Sequence, residues 1–302
     1  MSAPGALEAD AAREGESAAR RAFRRRAADV GLSTTHICSP QLPGTLRVFV
    51  GGENVRLRGD PDVAGPVGGE RGAVRAFSKA SRRRMLQFLH MIDRERSGMP
   101  LFVTLTYPGE WPGDPHRWKR DLHVWLLRLR RKMPAAWCVW RLEPQQRGAP
   151  HYHLLVFGVP RLSIEWLSRT WYEVVGSGDE RHLRAGTQVQ QVASWRRVIG
   201  YAAKYLAKEA ADLPAEWRAG VGRWWGVHQR QNAPREAMEV ALEGAAFFKV
   251  RRVLRRFISG PGMRGRDWFA DSRLGGGKLA RRGQQVGLSA DTAARLIAWA
   301  QS

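Results

Sequence analysis

Cysteine is nearly missing from this 302-residue chain, with Cys38 and Cys138 the whole supply. Two thiols cannot build a disulfide framework or a cysteine-rich zinc site, which suits a reducing compartment. No run approaches 18 apolar residues, so no membrane-spanning helix is expected. The first residues lack the apolar stretch of a secretory signal, and Glu8, Asp10, Glu14 and Glu16 argue against an organelle transit peptide. A cytoplasmic protein without a membrane partner is the expectation. Acid is scarce as well. Asp and Glu number 28 against 50 Lys and Arg, a formal charge of +22, which argues against an ordinary small-metabolite enzyme and for a polyanionic partner, nucleic acid first. No phosphate-binding loop is present either. Gly275-Gly276-Gly277-Lys278 lacks the upstream glycine, the Ser/Thr after the lysine and a preceding strand. Without an ATP site, any unwinding of DNA falls to another protein.

What is present is ordinary globular material. Hydrophobic residues make up 43% of the chain, and its length allows one large domain or two of common size. Residues 1–75 read as an irregular leader: Ala and Arg dominate 11–28, and Gly and Pro recur through 43–72 without a sustained period. A core unit is expected over 76–210, opening with a basic helix at about 77–96 whose apolar side is Phe77, Met85, Phe88, Leu89 and Ile92. Residues 211–302 read as a basic, Trp-rich extension ending in an amphipathic helix near 289–301. Within it, 249–282 holds eleven basic residues and two acids, interleaved with Phe257, Trp268 and Phe269. Cations tracking phosphates beside rings that stack on bases suit single strands.

Within 100–210 the pattern is regular. Leu101–Tyr107 is rich in β-branched and aromatic residues and stops at Pro108, so it reads as a strand. A helix at about 116–132 follows, with Trp118, Leu122, Trp125, Leu126 and Leu129 at helical spacing. Strands at about 136–143 and 151–158 form a hairpin, a helix spans about 163–174, a short strand runs Thr187–Val192, and Ser194 can cap a helix over 195–209. The order β-α-β-β-α-β predicts an α+β fold: a ferredoxin-like antiparallel sheet with helices on one face and helical extensions at both ends.

His151-Tyr152-His153 is the first candidate for chemistry. Strand residues i and i+2 point to one face, so both imidazoles project together and can converge on a metal. Eight histidines give roughly 0.2 such pairs by composition, so the pair alone is a weak signal. Glu143 strengthens it, because the hairpin brings it across from the histidines. Two imidazoles and a carboxylate leave a divalent ion with positive charge and open positions. The competing reading for Glu143 is a salt bridge with Arg141 or Arg147. His116 and His123, seven apart, read as a surface and a packing residue. His90, His182 and His228 have no partner at ligand spacing, and Thr104 and Thr106 share a strand face that suits a groove lining.

The second constellation is Tyr201-Ala202-Ala203-Lys204-Tyr205. In a helix, Tyr201, Lys204, Tyr205 and Lys208 share a face beside a core face of Trp195, Val198, Ile199, Ala202 and Leu206. A tyrosine hydroxyl is a weak nucleophile at a pKa near 10 and needs a nearby cation; Lys204 and a bound ion would supply that field. The structural alternative is a pair of core-edge tyrosines with hydrogen-bonded hydroxyls, and it suits Tyr205 better than Tyr201.

Three stretches together, "TLTYP" at 104–108, "RLEPQQRGAPHYHLLVFG" at 141–158 and "YAAKYLAK" at 201–208, resemble the motifs of rolling-circle replication initiators of the HUH endonuclease superfamily. They occur in the family's order over about 100–210, and the tyrosine pair is closest to initiators of small single-stranded DNA phages and related plasmids. The resemblance implies Mg²⁺ or Mn²⁺ on Glu143, His151 and His153, with Tyr201, Tyr205 and Lys204 as the catalytic group. In single-tyrosine members the tyrosine three residues before the lysine acts, which corresponds to Tyr201. It further implies a nicking-joining endonuclease that forms a 5′-phosphotyrosine and frees a 3′-hydroxyl. Its partners would be single-stranded or origin DNA and the host helicase and polymerase. A transposase or relaxase with the same chemistry, and a non-catalytic basic nucleic-acid-binding protein, are the alternatives.

Overall fold

The computed structural model describes residues 44–49, 54–59, 77–159, 162–199, 220–259 and 284–302, with positions 21, 23, 25, 28, 29 and 217. The chain divides into two compact units. Gly68–Leu86 and Ser97–Pro234 form one, here the central unit; Met1–Val67, Gln87–Arg96 and Arg235–Ser302 form the other.

The chain begins with strands β1 (Gly44–Phe49) and β2 (Asn54–Gly59), followed by helix α1 (Lys79–His90) and the short α2 (Arg94–Ser97). Next come β3 (Leu101–Thr106), α3 (Pro115–Lys132), β4 (Trp137–Pro144), β5 (Pro150–Phe157), α4 (Ile164–Val175), α5 (Glu180–Ala185) and β6 (Thr187–Gln191). After them lie β7 (Trp225–His228), β8 (Met238–Leu242), α6 (Gly244–Ser259), β9 (Gln284–Val286) and α7 (Ala290–Gln301).

In the central unit the sheet order is β6-β3-β5-β4-β7, with every described pairing antiparallel. Its first four strands follow the split βαβ order expected of a ferredoxin-like sheet. The chain is therefore α+β, compatible with an HUH-type core. Local chemistry sets the helix starts. Asp114 accepts a hydrogen bond from the His116 N–H and Pro115 opens α3; Ser163 caps α4 through the Trp166 N–H, and Gly176 ends it with a left-handed φ of 65°. The two helices cover the face that carries Tyr152. Tyr107 donates to Asp121 of α3 at 2.9 Å, and Trp171 of α4 meets the rings of Tyr107 and Tyr152 edge-on. His151 and His153 therefore point to the opposite face.

Four expectations need correction. The basic helix expected over 77–96 breaks after His90, because the Asp93 carboxylate accepts from the Arg96 N–H and starts a new short helix. The 1–75 stretch expected to be an irregular leader contains a hairpin, in which β1 and β2 pair from Gly44↔Gly59 to Phe49↔Asn54. The expected boundary at 210/211 falls instead at 234/235. The Trp-rich stretch explains the shift: it is part of the central unit. Strand β7 pairs with β4 from Trp225↔Arg141 to His228↔Cys138, and Trp217, fully buried, donates its indole N–H to the Gly148 carbonyl at 2.8 Å. Gly226 is needed where β7 crosses Trp140, since a Cβ there would lie 2.7 Å from the indole. Lastly, the short helix α5, capped by Asp179, precedes β6 where no element was expected.

The second unit is built around a four-stranded sheet of order β8-β1-β2-β9. Alternation in β1 and β2 puts Leu46, Val48, Val55 and Leu57 on one face, where they join Phe247, Leu254 and Ile297 of α6 and α7 in a buried core. The other face carries Arg47, which pairs with Glu239 across the β1–β8 ladder. Leu46 has no solvent exposure. Leu46→Ala is expected to lower the stability of this unit by about 2–5 kcal/mol, read as a reduced denaturation midpoint.

Candidate active site

Cross-strand register assembles the site. Within β5, His151 lies between Thr106 of β3 and Glu143 of β4, and His153 lies between Thr104 and Arg141. Directly paired residues share a face, so the two threonines, two histidines, the glutamate and the arginine form a patch two residues deep and three strands wide. The ligand atoms of Glu143, His151 and His153 all lie within 4.8 Å of one another, and among the described residues they are the group of three or more metal-type donors that does so. The imidazole rings sit 4.3 Å apart, near perpendicular at 83°. Expected site residues are thus brought together, and the alternative reading of Glu143 also has substance: it ion-pairs with Arg141 at 3.3 Å and touches His153 Nε2.

Arg147, the other expected salt-bridge partner, turns elsewhere. It donates to the carbonyls of Tyr107 at 2.6 Å and Gly109 at 3.0 Å and lies over the Trp111 ring. It ties the hairpin turn to the loop after β3 while leaving Glu143 to the histidines.

Orientation of the imidazoles comes from residues first read as groove lining. Thr106 Oγ1 is 3.0 Å from His151 Nδ1, and Thr104 Oγ1 is 3.3 Å from His153 Nδ1. With Nδ1 of each ring engaged by a hydroxyl, Nε2 is the nitrogen left to face Glu143 and any ligand. The end of β3 is itself pinned. Trp171 and His182 both approach the Thr106 carbonyl at 2.7 Å. His182 is packed against Gly186, where a Cβ would come within 2.4 Å of the ring, so the short α5 turn depends on glycine. His182 had no expected role; the signal available was only its place one short turn before β6.

Charge states favour ligation. Burial would raise the Glu143 carboxyl, but the hydrogen bond from His153 and the charges of Arg141 and both histidines outweigh it and hold it below the usual carboxylate range. Burial first, then the neighbouring His153, pushes His151 down to about 4, so its ring is neutral at pH 7 with a lone pair to offer. A carboxylate and a neutral imidazole are the forms that bind divalent ions. Ligands about 2.1 Å from one ion lie at most about 4.2 Å apart, so closure by tenths of an ångström is the most this cluster needs.

Tyr201, Lys204 and Tyr205 lie outside the described residues. Residues 195–199 are helical, and Ser194 Oγ accepts from the Arg197 N–H at 3.3 Å as expected of a cap. Trp195 stacks on Phe157 with ring centres 5.8 Å apart. Phe157 shares strand parity with His151 and His153, so this helix starts on the histidine face. His116 and His123 are exposed on α3 and join no donor group among the described residues.

The sheet order, the Glu–His–His cluster and the three ordered motifs define a replication protein of the initiator class. Residues 100–210 match the family of replication-associated proteins of the ORF2 and phage gene-2 type, and through them the chain belongs with those proteins and has a role in initiating replication. The replication-associated protein of Pseudomonas phage Pf3 is 28% identical over 223 residues, covering 69% of this chain and 73% of that protein. Putative replication proteins of Xylella fastidiosa strains 9a5c and Temecula1 are 28% and 27% identical. Each aligns over 52% of this chain and covers 57% and 61% of its own length. No solved structure matches the chain. Among the described residues no helix is long and apolar enough to cross a membrane.

Proposed function

We propose that this chain is a site-specific single-strand DNA endonuclease and ligase that starts rolling-circle replication at its origin. The observation that carries this reading is the convergence of Glu143, His151 and His153 on one sheet face, with each imidazole turned by a threonine hydroxyl. These three residues would hold Mg²⁺ or Mn²⁺. A bound ion would supply Lewis-acid polarisation of a phosphate oxygen. Two imidazoles in the set suit Mn²⁺, which accepts nitrogen more readily than Mg²⁺ does.

The Tyr201 hydroxyl attacks the scissile phosphorus; its oxygen forms the new bond as the bond to the 3′ oxygen breaks, and the proton leaves the tyrosine as the 3′ oxygen gains one. A 5′-phosphotyrosine and a free 3′-hydroxyl result. The phosphodiester energy stays in the adduct, so resealing needs no ATP. Lys204, three residues on from Tyr201, favours the phenolate, and Tyr205 performs the second transfer that releases a circle. What supports the tyrosine assignment is the motif spacing and the helix start at Trp195 on the histidine face. The free 3′-hydroxyl calls for a polymerase, and the missing phosphate loop leaves unwinding to a host helicase.

Mixing the protein with labelled single-stranded origin DNA and Mn²⁺ should give a heat-stable protein–DNA adduct. A chelator should abolish it, and nicking that persists undiminished in chelator would refute the metal role. The relatives' names favour replication over transposition or mobilisation, and a purely DNA-coating protein gives no reason for the Glu–His–His convergence. Thr104→Val and Thr106→Val remove the groups that orient the rings. Each is expected to weaken Mn²⁺ binding about 10- to 100-fold by titration calorimetry without unfolding the sheet.

A further inference from the structure

The layer of helices on the far side of the central sheet carries a feature that nicking does not use. Between α3 and α4 runs an open groove of about 420 Å³ lined by Arg128, Arg131, Lys132, Arg169, Trp166 and Glu173. Four cations face a single carboxylate, and that carboxylate is already engaged: Arg128 bonds Glu173 at 2.7 Å. Among the described residues no carboxylate lies within ion-pairing distance of Arg131, Lys132 or Arg169. Lys132 Nζ sits over the Trp166 ring, 5.4 Å from its centre, and the indole is half-buried with part of its surface open to the groove.

Helices α3 and α4 cover the Tyr152 face, whereas Glu143, His151 and His153 lie on the other, so the groove is separate from the candidate active site. Its chemistry is specific about its occupant. Clustered guanidinium and ammonium groups recognise phosphates, and an aromatic ring at their edge offers a base something to stack on. An acidic peptide would use the cations but has no need of the indole. Duplex DNA would present no unstacked base to it.

We propose that the α3–α4 groove is a second binding site for single-stranded DNA, which holds a strand on the helical side of the unit while another segment lies at the candidate active site. Arg131, Lys132 and Arg169 bind backbone phosphates, and Trp166 stacks against a base. Sequence plays no part, since the groove contacts only features common to every nucleotide. The inference rests on the DNA-binding part of the proposed function and is independent of the metal and tyrosine chemistry.

The test uses the full chain and a labelled oligothymidylate, read by fluorescence anisotropy. Replacing Arg131, Lys132 and Arg169 together by serine should lower the slope of log K against log salt by about 2 and weaken binding about 10²-fold near 0.1 M salt. Trp166→Ala should weaken it about 5- to 150-fold. Cleavage of a short oligonucleotide that spans only the scissile site should be unchanged in both variants, whereas failure of the nuclease reading would abolish cleavage in the unmodified protein too. Photo-crosslinking of a bromouracil-substituted strand to the unmodified chain should label the Ile164–Val175 helix, so the result does not depend on a variant folding. An unchanged salt slope, or crosslinks confined to other segments, overturns the proposal.

Discussion

Tyr201→Phe is expected to abolish the covalent protein–DNA adduct, with cleavage reduced about 10⁴-fold or more, while affinity for single-stranded DNA is retained. The substitution removes one oxygen and leaves the ring, so packing of the 195–199 helix start against Phe157 is undisturbed. Gel mobility of the adduct after heating reads the result. Tyr205→Phe separates the two tyrosines: it should leave the first cleavage near its normal rate and impair the joining that closes a circle. An adduct that forms undiminished in Tyr201→Phe would transfer the nucleophile's role to Tyr205.

The second large effect concerns the opposite half of the reaction. His151→Ala should lose Mn²⁺ binding and nicking together, by about 10³-fold in rate, since Lewis-acid stabilisation amounts to several kcal/mol and each 1.4 kcal/mol is tenfold. Glu143→Gln keeps the shape of the side chain and removes its charge, so it should show the same paired loss. It also leaves Arg141 without its ion-pair partner in a patch where both side chains are mostly covered. Calorimetry separates the causes: if Glu143→Gln binds Mn²⁺ normally yet fails to nick, the carboxylate acts on DNA and not on the ion. The adduct assay of Tyr201→Phe and the binding assay of His151→Ala are independent, and each can fail without the other.

The parts of the protein legible in the sequence are those where neighbours in sequence are neighbours in space. The β4–β5 hairpin joins Glu143 to His151 across a short turn, so strand parity and one turn were enough to put them on one face. Helices α3 and α4 announce themselves by Asp114-Pro115 and Ser163, whose side chains do the capping. Alternation in β3 showed that Thr104 and Thr106 share a face, but not that the face abuts the histidines, because β3 and β5 are joined only through the sheet. The hairpin of β1 and β2 stayed hidden for a similar reason. Its alternation spans only Thr45–Val48 and Asn54–Arg58 amid Gly and Pro, and its neighbours β8 and β9 come from the other end of the chain. Likewise β7 is four residues long and takes its character from the β4 edge that it joins.

That second sheet has a consequence for how the protein is made. Arg47 and Glu239 face each other across β1 and β8, 192 residues apart. A ribosome adding about 5–20 residues per second leaves the early hairpin waiting roughly 10–40 seconds for its neighbour. The central unit needs nothing beyond Pro234 and can close first. An initiator made this way would own its cutting half before its other half is assembled, so stalled or truncated products would carry an intact sheet of histidines beside an orphaned, edge-exposed hairpin.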